Sequence, residues 1–222
     1  MPGYYYYYFV LQYGPLIPLL VAVPNFKKLD RPLRIFAWYM MLSLLLTILM
    51  TVLALRKMNN LWVMNLSQPI YVVMILWVFQ LWESETKLRT LMKGCIVLFV
   101  SVWLYEIILQ NKVMQFSTYT IPLEGIIFIF VSCLTIYQAN RDLDEPIVDK
   151  PRFWISAGML LYFGGVIIID LVSERLLEKS DETLRLVLLL QVTLNLCAQI
   201  FYLIAYRCRI RKFWIETEGA LA

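Results

Sequence analysis

Hydrophobic and polar positions alternate along this chain on a long wavelength. Apolar runs of about twenty residues recur from one end to the other, separated by short stretches that hold most of the charges and helix-stopping residues. About twenty apolar residues is the length an α-helix needs to cross the hydrocarbon of a bilayer. Seven such spans are predicted, at about 4–24, 33–55, 60–82, 88–110, 115–138, 152–173 and 184–206. The connections "PNFKKLDRP", "RKMNN", "ESETK", "QNKVMQ", "NRDLDEPIVDKP" and "SERLLEKSDE" are short, so consecutive helices run antiparallel. The expected fold is all-α: a polytopic membrane protein with one transmembrane domain over residues 1–222, built as a single seven-helix bundle.

The first span opens on "YYYYYF", Tyr4 to Phe9, which suits an aromatic belt at a membrane surface. It has no basic stretch ahead of it, so it is expected to stay in the mature protein rather than be cleaved as a signal peptide. Orientation follows from the basic residues. Lys27, Lys28, Arg31, Arg34, Lys87, Arg89, Lys93, Arg141, Lys150, Arg152, Arg207, Arg209, Arg211 and Lys212 fall on one side of the predicted bundle. Arg56, Lys57, Lys112, Arg175, Lys179 and Arg185 fall on the other. An excess of Lys and Arg marks the cytoplasmic side, which puts the N-terminus outside and the C-terminus in the cytoplasm. A bacterial inner membrane is the expected location.

Polar residues inside the spans are the candidate chemistry. Counted from the outer ends at about 1.5 Å per residue, Gln12, Gln68, Glu124, Gln191 and Asn195 share a layer roughly 10 to 17 Å below the outer surface. Pro15, Pro69 and Pro122 fall in the same range, where a proline inside a helix frees a carbonyl and bends the axis. A carboxylate at such depth costs about 2.5 to 3.5 kcal/mol, so Glu124 is expected to face the interior, be partnered, or be protonated. Two readings compete. The layer either lines an outward-opening pocket anchored by Glu124, or stitches helices together with hydrogen bonds worth about 0.6 kcal/mol each. Glu106 and Asp170 near outer ends, and Glu83 and Glu85 at an inner end, are expected to be solvated or interfacial rather than catalytic. The tryptophans, Trp103 and Trp154 among them, read as interface anchors, and Gly158, Gly164 and Gly165 as a face for close helix approach.

Composition narrows the classes. The chain is 61% hydrophobic and 16% charged, against roughly half and a quarter in soluble domains. The net charge of +4 arises from residues at the ends of apolar runs, which argues for topology and anionic lipid contact by "RCRIRKFW" rather than for a nucleic-acid partner. With no histidine, imidazole catalysis and histidine-ligated metals are excluded, and the four cysteines show no CxxC spacing. The last span lacks the lysine a retinal protein needs, and no phosphate-cradling glycine loop or nucleophile motif occurs. No enzyme activity, cofactor or metal is expected.

The segments "NNLWVMNLSQPIYVVMILWVF", "IPLEGIIFIFVSCLTIY", "DKPRFWISAGMLLYFGGVIII" and "TLNLCAQIFYLIAY" resemble a loose group of uncharacterised bacterial seven-helix membrane proteins found in Bacteroidetes-like genomes. Some members of that group stand alone and some precede a sensor histidine kinase. The resemblance implies a sensory module in which Pro69, Glu124, Phe153, Trp154, Tyr162 and Asn195 occupy recurring positions. Joined to the residue reading, it gives a receptor-like protein that binds a small or lipidic ligand and signals through a separate protein partner. Glu124 would anchor the ligand, Gln68, Gln191 and Asn195 would orient it, with Gln12 in the same layer and Tyr162 added by the resemblance. Membrane lipids are the other expected partner, an oligomer is open, and a transporter component or a structural subunit is the alternative function.

Overall fold

The computed structural model describes residues 12–115, 117–176 and 181–219. The aromatic run Tyr4 to Phe9 lies outside them, as do the side chains of Asp170, Arg175, Lys179 and Arg185. The described residues form seven α-helices and no strand: α1 (Leu16–Ala22), α2 (Arg31–Leu55), α3 (Leu61–Trp82), α4 (Thr86–Leu104), α5 (Thr120–Arg141), α6 (Pro151–Leu176) and α7 (Asp181–Gly219). Helix α4 continues as a π-helical turn over Tyr105–Leu109, and 3-10 turns occupy Phe26–Lys28 and Ile147–Asp149.

Six of these helices are long and apolar enough to cross a bilayer, α4 being counted with its π turn. Their apolar surface is turned outward to a degree no water-soluble fold tolerates. Leu55 is 70% exposed and Leu109 75%, and only 6% of the apolar window of α2 is buried against 44% of that of α3. The protein is an integral membrane protein, and α3 is the more enclosed of the two. The first predicted span contributes only α1 among the described residues, seven residues long and set off from Gln12 by a turn at Tyr13–Pro15.

The chain divides into two compact units, Arg31–Ile127 and the combination of Met1–Asp30 with Phe128–Ala222. In the first, α3 packs against α2 and α4, with Leu33, Phe36, Ala37 and Met40 of α2 and Val72, Ile75, Leu76 and Phe79 of α3 fully enclosed. Apolar side chains gain little by leaving lipid, so close van der Waals fit and interhelical hydrogen bonds hold such helices together.

In the second unit α6 and α7 lie along each other and α1 packs on α7. The expected glycine face is real in part. A Cβ on Gly158 would stand 2.6 Å from Cε1 of Tyr202 and 3.2 Å from the Ala198 carbonyl, and one on Gly165 would stand 2.3 Å from Cδ1 of Leu194. Gly164 meets nothing within 4 Å. Two glycines seven residues apart therefore set the α6–α7 approach.

Helix α7 does not stop where the last apolar span was predicted to end. At about 1.5 Å per residue its 39 residues reach about 58 Å, nearly twice the hydrocarbon thickness. The basic segment is the helix's own extension, and part of it is paired with protein. Arg211 bonds Asp149, Lys212 bonds Glu145, and the Lys28 ammonium sits 4.1 Å from the centre of the Trp214 ring. The acidic turn that receives these cations is itself fixed from within. Buried Lys150 donates to the carbonyls of Ala139 and Asp142 at the end of α5, Arg152 donates to Asp142 Oδ2 at 2.5 Å, and Trp154 Nε1 donates to the Val148 carbonyl at 2.7 Å.

Candidate functional site

The polar layer is assembled in the Arg31–Ile127 unit by three helices. Helix α5 brings Glu124, α3 brings Ser67, Gln68 and Tyr71, and α2 brings Ser43. Positions 67, 68 and 71 fall on one side of α3 because three and four residues make one turn. Gln68 Nε2 donates to Glu124 Oε2 at 3.4 Å, the Tyr71 hydroxyl is hydrogen-bonded to Ser43 and Ser67 and is near enough to Glu124 to feel its charge, and Ser67 Oγ donates to the Met64 carbonyl at 2.9 Å. Gln68 is only 5% exposed, and its Oε1 receives no hydrogen bond from any described residue. A buried carbonyl oxygen without a donor forgoes about 1 to 3 kcal/mol, so the cluster carries acceptor capacity that its own donors leave unused.

Of the remaining predicted site residues, Gln12, Tyr162, Gln191 and Asn195 belong to the other unit. Gln12 is helical and half-buried just before the Tyr13–Pro15 turn. Asn195 Oδ1 accepts from Gln199 Nε2 at 2.9 Å, one turn along α7, and Gln191 is half-buried one turn before it. Tyr162 is half-buried on α6, its ring edge-on to Phe163 at 5.0 Å.

The three prolines expected to break helices do different things. Pro15 precedes α1, and Pro122 stands in the first turn of α5, where a missing N–H has no helical partner to disappoint. Pro69 alone lies inside a helix. It cannot serve the carbonyl four residues before it, that of Asn65, and this oxygen accepts instead from the indole Nε1 of Trp103 at 2.7 Å. Trp103, read from the sequence as an interface anchor, is the substitute donor for a proline-released carbonyl.

Three further residues were mistaken or missed in the sequence. Asn65, wholly buried, directs Nδ2 at the carbonyls of Lys112, Val113 and Gln115 at 2.7 to 3.0 Å and accepts from Ser117 Oγ at 3.1 Å. Glu106 was expected in water but is wholly buried. Its oxygens accept from the N–H groups of Thr118, Tyr119 and Thr120 at 2.7, 3.0 and 2.9 Å and from the Thr120 hydroxyl at 2.6 Å, with the Lys112 ammonium 3.9 Å away. It is a carboxylate cap on the positive end of α5, supplied by the preceding helix. Glu83 is likewise buried, its Oε1 taking the Glu85 N–H at 2.9 Å. A short polar residue near the start of a span gave the only available signal for Asn65, and nothing local marks Glu106 as a cap for a helix fourteen residues later.

An open groove of about 660 Å³ lies between the π turn and the start of α5, lined by Val102, Tyr105, Thr118, Tyr119, Pro122, Leu123 and Ile126. Residues 119, 122, 123 and 126 lie on one face of α5, and Glu124 at 100° per residue falls on the far side, so this apolar groove is not the wall of the polar cluster.

Compared with known proteins, the chain matches no family model, no curated protein and no solved structure.

Proposed function

We propose that this protein is a receptor-like membrane module that binds a small or lipidic ligand at the Glu124 cluster. One observation carries the reading: a carboxylate within a membrane-spanning helix has Gln68 as its hydrogen-bond partner, and the other end of that amide is buried with no donor among the described residues. A purely structural hydrogen bond needs no carboxylate, and the expense of one at depth is explained by a ligand that completes it. In this reading the seven predicted spans run from an outside N-terminus to a cytoplasmic C-terminus in a bacterial inner membrane. The long α7, extended past the bilayer and gripped by the 142–150 turn, supports transmission to a separate partner.

The test is a thermal-shift screen of metabolites and lipids on the whole protein in nanodiscs. Compounds that stabilise the parent are expected to lose their effect on Glu124→Gln, and a screen in which every shift survives that substitution removes the anchor role.

A transport component is a second reading, favoured by Ser43, Thr47 and Thr51, which follow one another at four-residue spacing along α2. Thr47 and Thr51 donate to the carbonyls of Ser43 and Thr47 at 2.9 and 2.8 Å, so each already has a partner in its own helix. Liposome flux separates the readings, because a receptor binds without moving its ligand across.

A further inference from the structure

Resting on the reading of Glu124 as a ligand anchor, we infer that the polar end of the ligand is a primary ammonium group that donates N–H bonds to the Glu124 carboxylate and to Oε1 of Gln68 together. The inference follows from counting donors and acceptors. Gln68 Nε2 is engaged with Glu124, Ser67 Oγ with the Met64 carbonyl, and the Tyr71 hydroxyl with Ser43 and Ser67. No lysine or arginine is among the partners of Glu124 in the described residues. What is left over is one negative charge, an oxygen of that carboxylate, the buried Oε1 of Gln68 and the second N–H of its Nε2, a set richer in acceptors than in donors.

Each class of ligand meets this set differently. A carboxylate or phosphate brings a second negative charge and no donor, which is repelled. A hydroxyl satisfies one acceptor and leaves the charge unanswered. A quaternary ammonium answers the charge and leaves Gln68 Oε1 bare. A metal cation needs a shell of several oxygens, whereas the hydroxyls here are tied to one another and no cluster of three acidic or sulfur ligands exists among the described residues. A primary ammonium has three N–H donors and one positive charge, and charge-assisted bonds of this kind are about twice as strong as neutral ones. The ammonium can belong to a free amine or to an ethanolamine lipid headgroup, and the same chemistry recognises either.

The experiment measures the unfolding temperature of the full chain in phosphatidylcholine nanodiscs. It titrates n-butylammonium, tetramethylammonium, sodium and butyrate, and then replaces part of the lipid with phosphatidylethanolamine. Butylammonium is expected to raise Tm by several degrees while the other three leave it unchanged. Gln68→Met is expected to raise the half-effective concentration at least tenfold, and Glu124→Gln to abolish the shift. A Tm rise on adding phosphatidylethanolamine that depends on Glu124 assigns the amine to the lipid, and a rise with butylammonium alone assigns it to a free ligand. Equal stabilisation by tetramethylammonium or sodium overturns the N–H donor requirement while leaving Glu124 as an anchor, as does a Glu124-dependent shift with butyrate. A full set of compounds with no Glu124-dependent shift overturns the anchor reading as well. The comparison among compounds is made on the parent protein, so the outcome does not depend on a variant folding.

Discussion

The indole N–H of Trp103, on α4, donates at 2.7 Å to the backbone carbonyl of Asn65 on α3, the oxygen that Pro69 leaves without its helical donor. One side chain thereby repairs the break that another introduces, across two helices. Replacing Trp103 by Phe keeps most of the apolar contact and removes the donor. A loss of about 1 to 3 kcal/mol is expected, the penalty of an orphaned buried carbonyl. Because Pro69→Ala restores a helical N–H to the same oxygen, the Trp103→Phe penalty is expected to shrink by about half or more in that background. Additive losses in the double variant, measured by unfolding in mild detergent, would show that the indole acts through packing alone.

Glu106 and Thr120 give a second prediction, at the outer end predicted for these helices. The carboxylate takes both the N–H and the hydroxyl of Thr120 and so fixes where α5 begins. Glu106→Ala is expected to cost about 2 to 4 kcal/mol, since charged caps and buried donors are lost together, and Glu106→Gln rather less because one acceptor survives. Hydrogen exchange at the amides of Thr118, Tyr119 and Thr120 should accelerate in both. Unchanged exchange there would remove the capping role.

The two tight glycines make a prediction by contrast. Gly158→Ala drives a methyl into the Tyr202 ring and toward a backbone carbonyl, so α6 and α7 must move apart, whereas Gly165→Ala meets only the tip of the Leu194 side chain, which can rotate. Expected losses are about 1 to 3 kcal/mol for the first, less for the second, and close to none for Gly164→Ala, read as shifts in thermal unfolding. Equal effects at all three positions would show that helix propensity alone decides them.

The turn that holds the α7 extension supplies a pH prediction. The Lys150 ammonium, first, and then the Asp144 N–H hold the Asp142 carboxyl below the usual carboxylate range. A carboxylate lowered by folding contributes stability above its unfolded value of about 3.9, and that contribution fades as pH falls through the folded value. The grip of Asp142 on Lys150 and Arg152 is therefore expected to be constant from about pH 5 to 8 and to weaken below about pH 4. Asp142→Asn should flatten that acid limb. A probe on the α7 extension whose mobility changes near neutral pH in the parent but not in Asp142→Asn would contradict the assignment.

Five of the predicted spans match helices of the structure closely, and a sixth lies within the longer α7, because their signal is local: some twenty apolar residues must satisfy their backbone bonds within themselves in lipid, and only a helix does so. Depth placed Gln68 and Glu124 in one layer together with Gln12, Gln191 and Asn195, but which of these amides pairs with Glu124 came only from the packing of α3 against α5. The role of Glu106 was not legible, because its depth near a helix end looks the same whether the carboxylate turns to water or to a neighbouring helix terminus.

By itself, then, the sequence determined the membrane class, most of the helical segments and the short connections between them. Only the tertiary structure decided what the polar groups do. It made Asn65 the hold on the 112–117 loop, Trp103 the donor that Pro69 requires, Glu106 a cap, and the basic end of α7 a helix clasped by Glu145 and Asp149. The physical reason is direction. Hydropathy reports how deep a residue lies, whereas a hydrogen bond also needs the rotation of each helix about its axis, which is set when the helices pack.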